Sequence, residues 1–376
     1  MFPLPFSSLP SHAWSVLGLM SGTSADGTDA VLIEVDPSAF EAGQPFRSLL
    51  GHHHEPYPPA LQAEVLRAAA DELKPSELCL LQQRLGEAHA AAGLALIQRL
   101  GTRPHFACLH GQTVQHWPRQ GATLQLANPY LLSEALGCPV AWDLRRRDMA
   151  LGGQGAPLVP LTELWLHGRQ SPWAALNLGG IANITLWDGE QVQAWDLGPA
   201  MSLLDLAAQR WLGQPFDPDG SQAQGMVDEA CLDAWLKHSH FQIAPPKSTG
   251  REVFGAAWLA QESVGMELLP VPQRLATLAA FSAEACAREV RRWHAPLPAQ
   301  TPLLLSGGGA RHGRLVQELI GRLPEFRLQI DDRFPSGARE AVSWALLGAA
   351  SAAGIPGNLP QATGARHPAV LGSWAP

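Results

Sequence analysis

The stretch WSVLGLMSGTSADGTDAVLIEVD, residues 14–36, decides the fold. Trp14–Met20 is apolar enough for a buried strand, and Ala30–Asp36 (AVLIEVD) reads as a second one. Between them Ser21–Asp29 is a turn of small residues, far longer than the two residues a tight hairpin needs. Glycines let a backbone approach an anion closely, and Ser and Thr hydroxyls add donors. A Walker loop runs from a strand into a helix and closes on Gly-Lys-Ser/Thr. Here that lysine is absent and the chain returns as a strand, so a different phosphate-gripping loop is expected over Gly18–Asp29, a stretch that includes Gly22, Thr23, Ser24, Ala25, Asp26, Gly27 and Thr28. An acidic residue there repels phosphate unless a cation intervenes, which makes Asp26 a candidate on the Mg²⁺ side of the site.

About 160 residues later the pattern repeats. Ala174–Leu178 is a strand, Gly179–Asn183 a turn and Ile184–Trp187 a returning strand. Asn177, Gly179, Gly180 and Asn183 are therefore candidates for a second phosphate-facing loop. The repetition suggests an internal duplication with one nucleotide lying between the halves. A third glycine turn, Gly307-Gly308-Gly309, follows the strand Thr301–Leu305 and precedes a helix from about His312, a place suited to a nucleotide's sugar or base edge.

Asp196 ends the strand Gln191–Trp195 and precedes the helix Met201–Trp211. A carboxylate there suits a general base, with a helix N-cap as its plain structural alternative. Asp143, Arg145, Arg146, Arg147 and Asp148 form a charged knot beside the irregular, Gly- and Pro-rich segment Leu151–Pro160, and arginines suit bidentate binding of carboxylate or phosphate. His110-Gly111-Gln112-Thr113, after the strand Phe106–Leu109, offers imidazole and amide groups. His52–His54 sits in a Pro-rich neighbourhood read as a loop, not a metal site. Helices are expected over Pro59–Ala70, Pro75–Gly101, Pro129–Gly137 and Glu340–Ala353.

The composition narrows the rest. With 376 residues, 46% of them hydrophobic and 16% charged, the chain has core for two or three domains. A net charge of −8 argues against a nucleic-acid binder. The five cysteines are scattered without a C-x-x-C pair, as buried reduced thiols would be. The N-terminal decapeptide lacks a basic region and is broken by prolines, unlike a secretory signal. No apolar run of membrane-spanning length exists, so the expected address is the cytoplasm.

Taken in order, GLMSGTSADGTD (18–29), HGQT (110–113), TLQLANP (123–129), DLRRRDMALGGQGAPLVP (143–160), NLGGIANIT (177–185), WDLGP (195–199), KSTGRE (247–252) and SGGGA (306–310) resemble the anhydro-N-acetylmuramic acid kinases. These form a bacterial branch of the sugar kinase/Hsp70/actin superfamily, and the resemblance covers nearly the whole chain. It implies a two-domain α/β actin-like ATPase fold, with ATP and Mg²⁺ in an interdomain cleft. The implied domains are residues 1–145 with the tail from about 355 to 376, and residues 146–354. The implied reaction opens the 1,6-anhydro ring with water and phosphorylates the freed O6, giving N-acetylmuramic acid 6-phosphate for peptidoglycan recycling. The resemblance assigns the general base to Asp196, a substrate-contacting helix glutamate to Glu340 and the ATP loop to Gly22–Asp29. His110, Gln112, Asp143, Arg147 and Asp148 are the expected sugar-binding residues, the arginines suiting a lactyl carboxylate. The expected partners are small molecules, without nucleic acid or membrane, and a homodimer stays open.

The sequence departs from the family pattern at Ala200-Met201, where Gly-Asn is usual, at Leu144 for Phe and at Ala25 for Leu. Two alternatives remain: a related kinase for another sugar, and an ATP-binding switch protein without catalysis.

Overall fold

A computed structural model describes residues 9–10, 13–245, 247–293, 297–335 and 337–376. The chain divides into two compact units, residues 1–168 with 334–376, and residues 169–333.

The first unit opens with β1 (Trp14–Ser21), β2 (Gly27–Val35) and β3 (Phe46–Pro56). Helices α1 (Pro59–Ala69) and α2 (Pro75–Leu100) follow, then β4 (Phe106–Trp117), β5 (Ala122–Leu126), α3 (Pro129–Leu136), β6 (Val140–Trp142), α4 (Leu144–Ala150) and α5 (Val159–His167). Local signals set the helix ends. Pro75 opens α2, the Glu77 carboxylate accepts from the Lys74 N–H at 2.9 Å, and Gly101 closes the helix at φ +65°. The Asn128 side chain caps α3 by accepting from the Leu131 N–H.

The second unit contains β7 (Trp173–Leu178), β8 (Ile181–Trp187), β9 (Val192–Pro199), α6 (Met201–Leu212), α7 (Glu229–Trp235), α8 (Ala256–Glu262), α9 (Val271–Trp293), β10 (Thr301–Ser306), α10 (Gly313–Arg322) and β11 (Phe326–Ile330). The chain then returns to the first unit with α11 (Ala338–Ala352), α12 (Pro360–Thr363) and β12 (Ser373–Ala375).

The two sheets repeat one topology. The first runs β12-β6-β4-β1-β2-β3, with β5 on β4, and the second β11-β10-β7-β8-β9. In each, three antiparallel strands lead and two parallel strands follow: β4 on β1 and β6 on β4, matched by β10 on β7 and β11 on β10. The expected duplication and the actin-like α/β class are therefore written in the strand order. In both sheets the first hairpin is neighbour to a parallel strand, so each glycine turn lies at the carboxyl end of a parallel pair, where ligand sites collect.

Strand alternation places the cores. Val16, Val31, Ile33, Phe106 and Cys108 face α11 and α5, joining Trp165, Val342, Trp344 and Ala345. Leu17, Leu19, Ala30 and Leu32 point the other way, into Ala92, Leu96 and Leu132 of α2 and α3. Each such large side chain, once buried, contributes about 1.5–3 kcal/mol. In the second unit α9 packs Leu278, Phe281 and Ala285 with Leu176, Ile184, Leu303 and Leu315. Gly18, on the α11 side of β1, leaves no room for a side chain, because a Cβ would stand 2.2 Å from the Ala341 carbonyl oxygen. Gly18→Ala is expected to destabilise by about 1–3 kcal/mol through overpacking, read as a lowered melting temperature.

Several local expectations change. The first turn is only Gly22–Asp26, since the strands extend to Ser21 and from Gly27. The HGQT motif lies inside β4, and Asp196 inside β9, which runs on to Pro199. Asn183 belongs to β8. His52–His54 forms part of β3, and the charged knot becomes α4. Val159–His167 is helical rather than irregular at its start.

The domain boundaries also move: 146–168 and 334–354 belong to the first unit. Their apolar residues Leu158, Leu161, Trp165, Trp344 and Leu347 share one core with the first sheet, so α5 and α11 cannot leave it. No helix among the described residues is long and apolar enough to cross a membrane.

Candidate active site

In the first unit the turn after β1 is shaped by a left-handed Ala25 (φ +55°), whose N–H donates to the Gly22 carbonyl at 3.1 Å. That conformation disfavours a Cβ by roughly 1–2 kcal/mol, so the surroundings must hold it. Gln112 of β4, fully buried, donates through Nε2 to the same Gly22 oxygen at 2.9 Å. Thr23, Ser24 and Asp26 are exposed, with Ser24 Oγ donating to Asp26 Oδ1 at 2.9 Å.

Beneath the turn Ser21 Oγ lies 2.7 Å from Tyr57 Oη and 3.0 Å from His89 Nε2, and Thr28 Oγ1 donates to Tyr57 Oη at 3.2 Å. His89 is wholly buried, which pushes its pKa down to about 4, so it serves this network as a neutral ring. Thr28 is thus a support of the turn. Gly27 packs against β3, where a Cβ would meet the Glu55 carbonyl at 2.4 Å. Asp29 Oδ1 sits 2.8 Å from His52 Nε2 and 3.2 Å from His54 Nδ1. The end of the expected loop, Gly27–Asp29, therefore braces the turn rather than forming it.

The charged knot resolves into unlike parts. Arg145, which the expected sugar-binding set omitted, is the inward arginine. Its Nε and Nη2 donate to His110 Nε2 at 3.1 and 3.0 Å, its Nη1 donates to the Gly155 carbonyl at 2.8 Å, and its guanidinium lies 5.0 Å over the Trp344 ring. Because both contacts donate to Nε2, the His110 proton is on Nδ1. Burial first, then Arg145, holds that ring well below the usual imidazole range. Arg146 and Arg147 are exposed.

Asp148 is fully buried and accepts from the Gly155 N–H at 2.8 Å, Asn358 Nδ2 at 2.7 Å and Thr363 Oγ1 at 2.7 Å. These contacts make it a structural tie between the 151–158 loop and the C-terminal segment, not an open sugar ligand. Asp143 is left-handed (φ +54°) and half-buried, with burial raising its carboxyl pKa despite Arg146. A non-glycine residue held there marks stored strain of the kind found at functional sites.

Glu340 stands in the first turn of α11 with its side chain open to solvent, yet protein atoms crowd it. That crowding raises its pKa, opposed by Arg145 and reinforced by Asp29.

In the second unit Gly179 and Gly180 form the β7–β8 turn. Their carbonyls accept the first N–H groups of α6: Met201 N to Gly179 O at 2.9 Å, with Ala200 N and Ser202 N to Gly180 O at 3.0 Å. Ala200 and Met201, where the sequence departs from the usual Gly-Asn, thus act here through their backbone. Arg251 lies beside this turn, since a Cβ on Gly180 would be 3.5 Å from its Nε. Gly307 (φ +81°) fits tightly on Asn177 and Leu178, Gly309 is buried against Leu178, and Gly308 is exposed with nothing near its Cβ direction.

Asp196 pairs across strands with Asn183. Its N–H donates to the Lys247 carbonyl at 3.1 Å, and its Oδ2 accepts from the Thr249 N–H at 3.0 Å. Burial is the main cause pushing its pKa up to about 6; the Thr249 bond opposes this and Glu252 adds to it. A base with a pKa near 6 is ionised at neutral pH yet basic enough to take a proton from water.

The family is decided by the whole length: residues 14–376 match the family model described as anhydro-N-acetylmuramic acid kinase. The chain belongs to the anhydro-N-acetylmuramic acid kinase family. It is 41% identical over 383 residues to the anhydro-N-acetylmuramic acid kinase of Synechococcus sp. (strain CC9311), covering 95% of this chain and 98% of that protein. The same-named protein of Synechococcus sp. (strain CC9605) is 42% identical over 378 residues, covering 95% and 98%. That of Streptomyces avermitilis is 40% identical over 374 residues, covering 96% and 94%.

Within the family frame, Lys247, Thr249 and Arg251 stand out as residues that carried a motif, KSTGRE, but no expected role. Their signal was visible; their partner was not, because Asp196 lies 51 residues or more upstream. Tyr57 and His89 gave no comparable signal, and Arg145 gave none that set it apart from Arg146 and Arg147 in the charged knot. A lone histidine, a lone tyrosine and one arginine of three acquire meaning only through the contacts above.

Proposed function

We propose that this protein is an ATP-dependent kinase that opens the 1,6-anhydro ring of anhydro-N-acetylmuramic acid and phosphorylates O6, yielding N-acetylmuramic acid 6-phosphate and ADP in peptidoglycan recycling. The observation that carries this reading is Asp196, a mostly buried carboxylate held at both its backbone and its side chain with a pKa raised to about 6.

Asp196 takes a proton from water as the water oxygen bonds to C1 of the sugar. The C1–O6 bond breaks, and O6 leaves with its electron pair. That oxygen attacks the γ-phosphorus, the bond to ADP breaks, and the proton on Asp196 passes to solvent. No separate acid is needed for the departing O6, because the phosphoryl group captures it.

Gly22, Thr23 and Ser24 offer backbone and hydroxyl donors to phosphate oxygens, with Gln112 and the Ser21–Thr28–Tyr57–His89 network holding their turn. Gly179, Gly180 and Gly308 serve the nucleotide from the second unit, with Asn177, Gly307 and Gly309 shaping those turns and Asn183 of β8 pairing with Asn177. Glu340, Asp143 and Arg145 with His110 serve the sugar.

Among the described residues no group of three or more His, Cys, Asp or Glu side chains could hold a metal ion. The exposed Asp26 carboxylate on the phosphate turn still fits Mg²⁺, which is commonly bound through one or two carboxylates plus phosphate oxygens. Such an ion neutralises phosphate charge. The cytoplasm is the address that fits this chemistry.

The test is ADP release with ATP, Mg²⁺ and anhydro-N-acetylmuramic acid, run beside ordinary hexoses. Turnover dependent on the anhydro sugar is expected. Faster turnover on an ordinary hexose would make it a kinase for another sugar. ATP binding without sugar-dependent ADP release would make it a nucleotide-driven switch.

A further inference from the structure

The residues around Asp196 form a chain of contacts that leads away from the site. Lys247 Nζ and Glu289 Oε2 of α9 are 2.6 Å apart, and both side chains are 2% exposed. The same Nζ donates to the His240 carbonyl at 2.9 Å. Lys247 then presents its own carbonyl to the Asp196 N–H at 3.1 Å, and two residues on Thr249 presents its N–H to Asp196 Oδ2 at 3.0 Å. One buried lysine therefore fixes a strap whose backbone holds the aspartate at its main chain and at its carboxylate.

We propose that the buried Lys247–Glu289 ion pair is the positioning device for Asp196, acting through the 247–249 strap. This rests on Asp196 being the general base.

The physical case is one of placement against stability. A buried ion pair is weak evidence for stability, since apolar side chains of like volume often replace it without loss. What apolar side chains cannot supply is a fixed direction. The Lys247 ammonium is held between a carboxylate on α9 and the His240 carbonyl, so its main chain has little freedom to slide along β9. Strands and helices hold a site more precisely than loops do. Here the strap is a loop, and its anchor is the 23-residue helix α9.

The carboxylate that the strap holds is also largely out of water. Burial is the first cause of the raised Asp196 pKa, ahead of the Thr249 hydrogen bond and Glu252. Further titratable groups here are His240, pushed down to about 4 by burial and then Lys247, with His238 also acting on it, and Glu289, whose burial-raised pKa is opposed by Lys247 and then Arg292 and which acts on Cys286.

The experiment compares wild type, Lys247→Met/Glu289→Leu and Asp196→Asn. The double variant replaces the ion pair with apolar side chains and is expected to stay folded by thermal melt. Its kcat is expected to fall about 10²-fold, the scale of a 1 Å misplacement, with the KM for ATP unchanged. The acidic limb of its kcat/KM profile is expected to move below the wild-type position as water reaches Asp196. Glu289→Gln, which keeps an acceptor for Lys247 Nζ, is expected to lie between wild type and the double variant in kcat.

A folded double variant with wild-type kcat and an unmoved limb overturns the proposal. If the double variant melts below assay temperature, Glu289→Gln with wild-type kcat and limb overturns it instead. Failure of the base assignment is separable, because it shows as wild-type kcat in Asp196→Asn, whatever the strap variants do.

Discussion

Asp196→Asn is expected to lower kcat by about 10²–10⁴-fold, the range for a positioned general base, with the KM for ATP near wild type. The substitution keeps size and one acceptor oxygen for the Thr249 N–H, so the strap can still dock on it. What disappears is the capacity to take a proton from water. In the wild type the same group sets the acid side of the pH profile. A base works ionised, so kcat/KM is expected to rise as pH climbs through about 6 and to flatten above it.

Stability runs the opposite way. Asp196 has a folded pKa raised above the usual carboxylate value, so its contribution to stability is complete below that unfolded value and is lost as pH rises through about 6. Asp196→Asn removes the buried charge, so it is expected to melt higher than wild type at neutral pH while turning over far more slowly. Calorimetry and steady-state kinetics on one preparation read both signs. A variant with wild-type kcat would remove Asp196 as the base.

Part of this was legible in the chain alone. The apolar runs flanking Gly22–Asp26 and Gly179–Gly180 gave both hairpins, because alternating apolar residues and glycine turns act over a few positions. Asp196 was marked as a candidate by its place at the end of a strand and before a helix, and by the family resemblance. The lengths of β4 and β9 were not. HGQT and DLGP look like turns by composition, but sheet pairing with β1, β5 and β8 carries the strand through them.

The domain boundaries failed for a related reason. Nothing local to Trp344 says that its helix packs on a strand more than 300 positions earlier, as it does in the core with Val16 and Val31. Arg145 and Arg147 show the limit at a single helix. The two have the same chemistry, two positions apart, so they face different directions. Only the observed packing reveals that Arg145 meets His110 and Trp344 while Arg147 is exposed.

Asp148→Ala is expected to be a folding lesion and not a binding one. The Asp148 carboxylate is the shared acceptor for the Gly155 N–H, Asn358 Nδ2 and Thr363 Oγ1, all within 2.8 Å and out of water. Gly153 is fitted around it, since a Cβ there would lie 2.2 Å from Asp148 Oδ2. Removing the carboxylate strips the Gly155 N–H of its acceptor and leaves Asn358 Nδ2 and Thr363 Oγ1 with only their longer bonds to the His367 and Leu359 carbonyls, at 3.5 and 3.3 Å; a buried donor without its acceptor costs about 1–3 kcal/mol. Partial relaxation and the remaining bonds keep the sum well below three full penalties, and roughly 3–5 kcal/mol is the expected scale. In a unit of this size that lowers the melting temperature by roughly 6–20 °C. The sugar KM of the folded fraction, measured at low temperature, is expected to stay at the wild-type value. Asp148→Asn keeps one oxygen for the donors and is expected to fall between Ala and wild type in melting temperature. Were Asp148→Asn instead to raise the sugar KM with an unchanged melt, the carboxylate would be a sugar ligand after all, and the loop tie would be incidental.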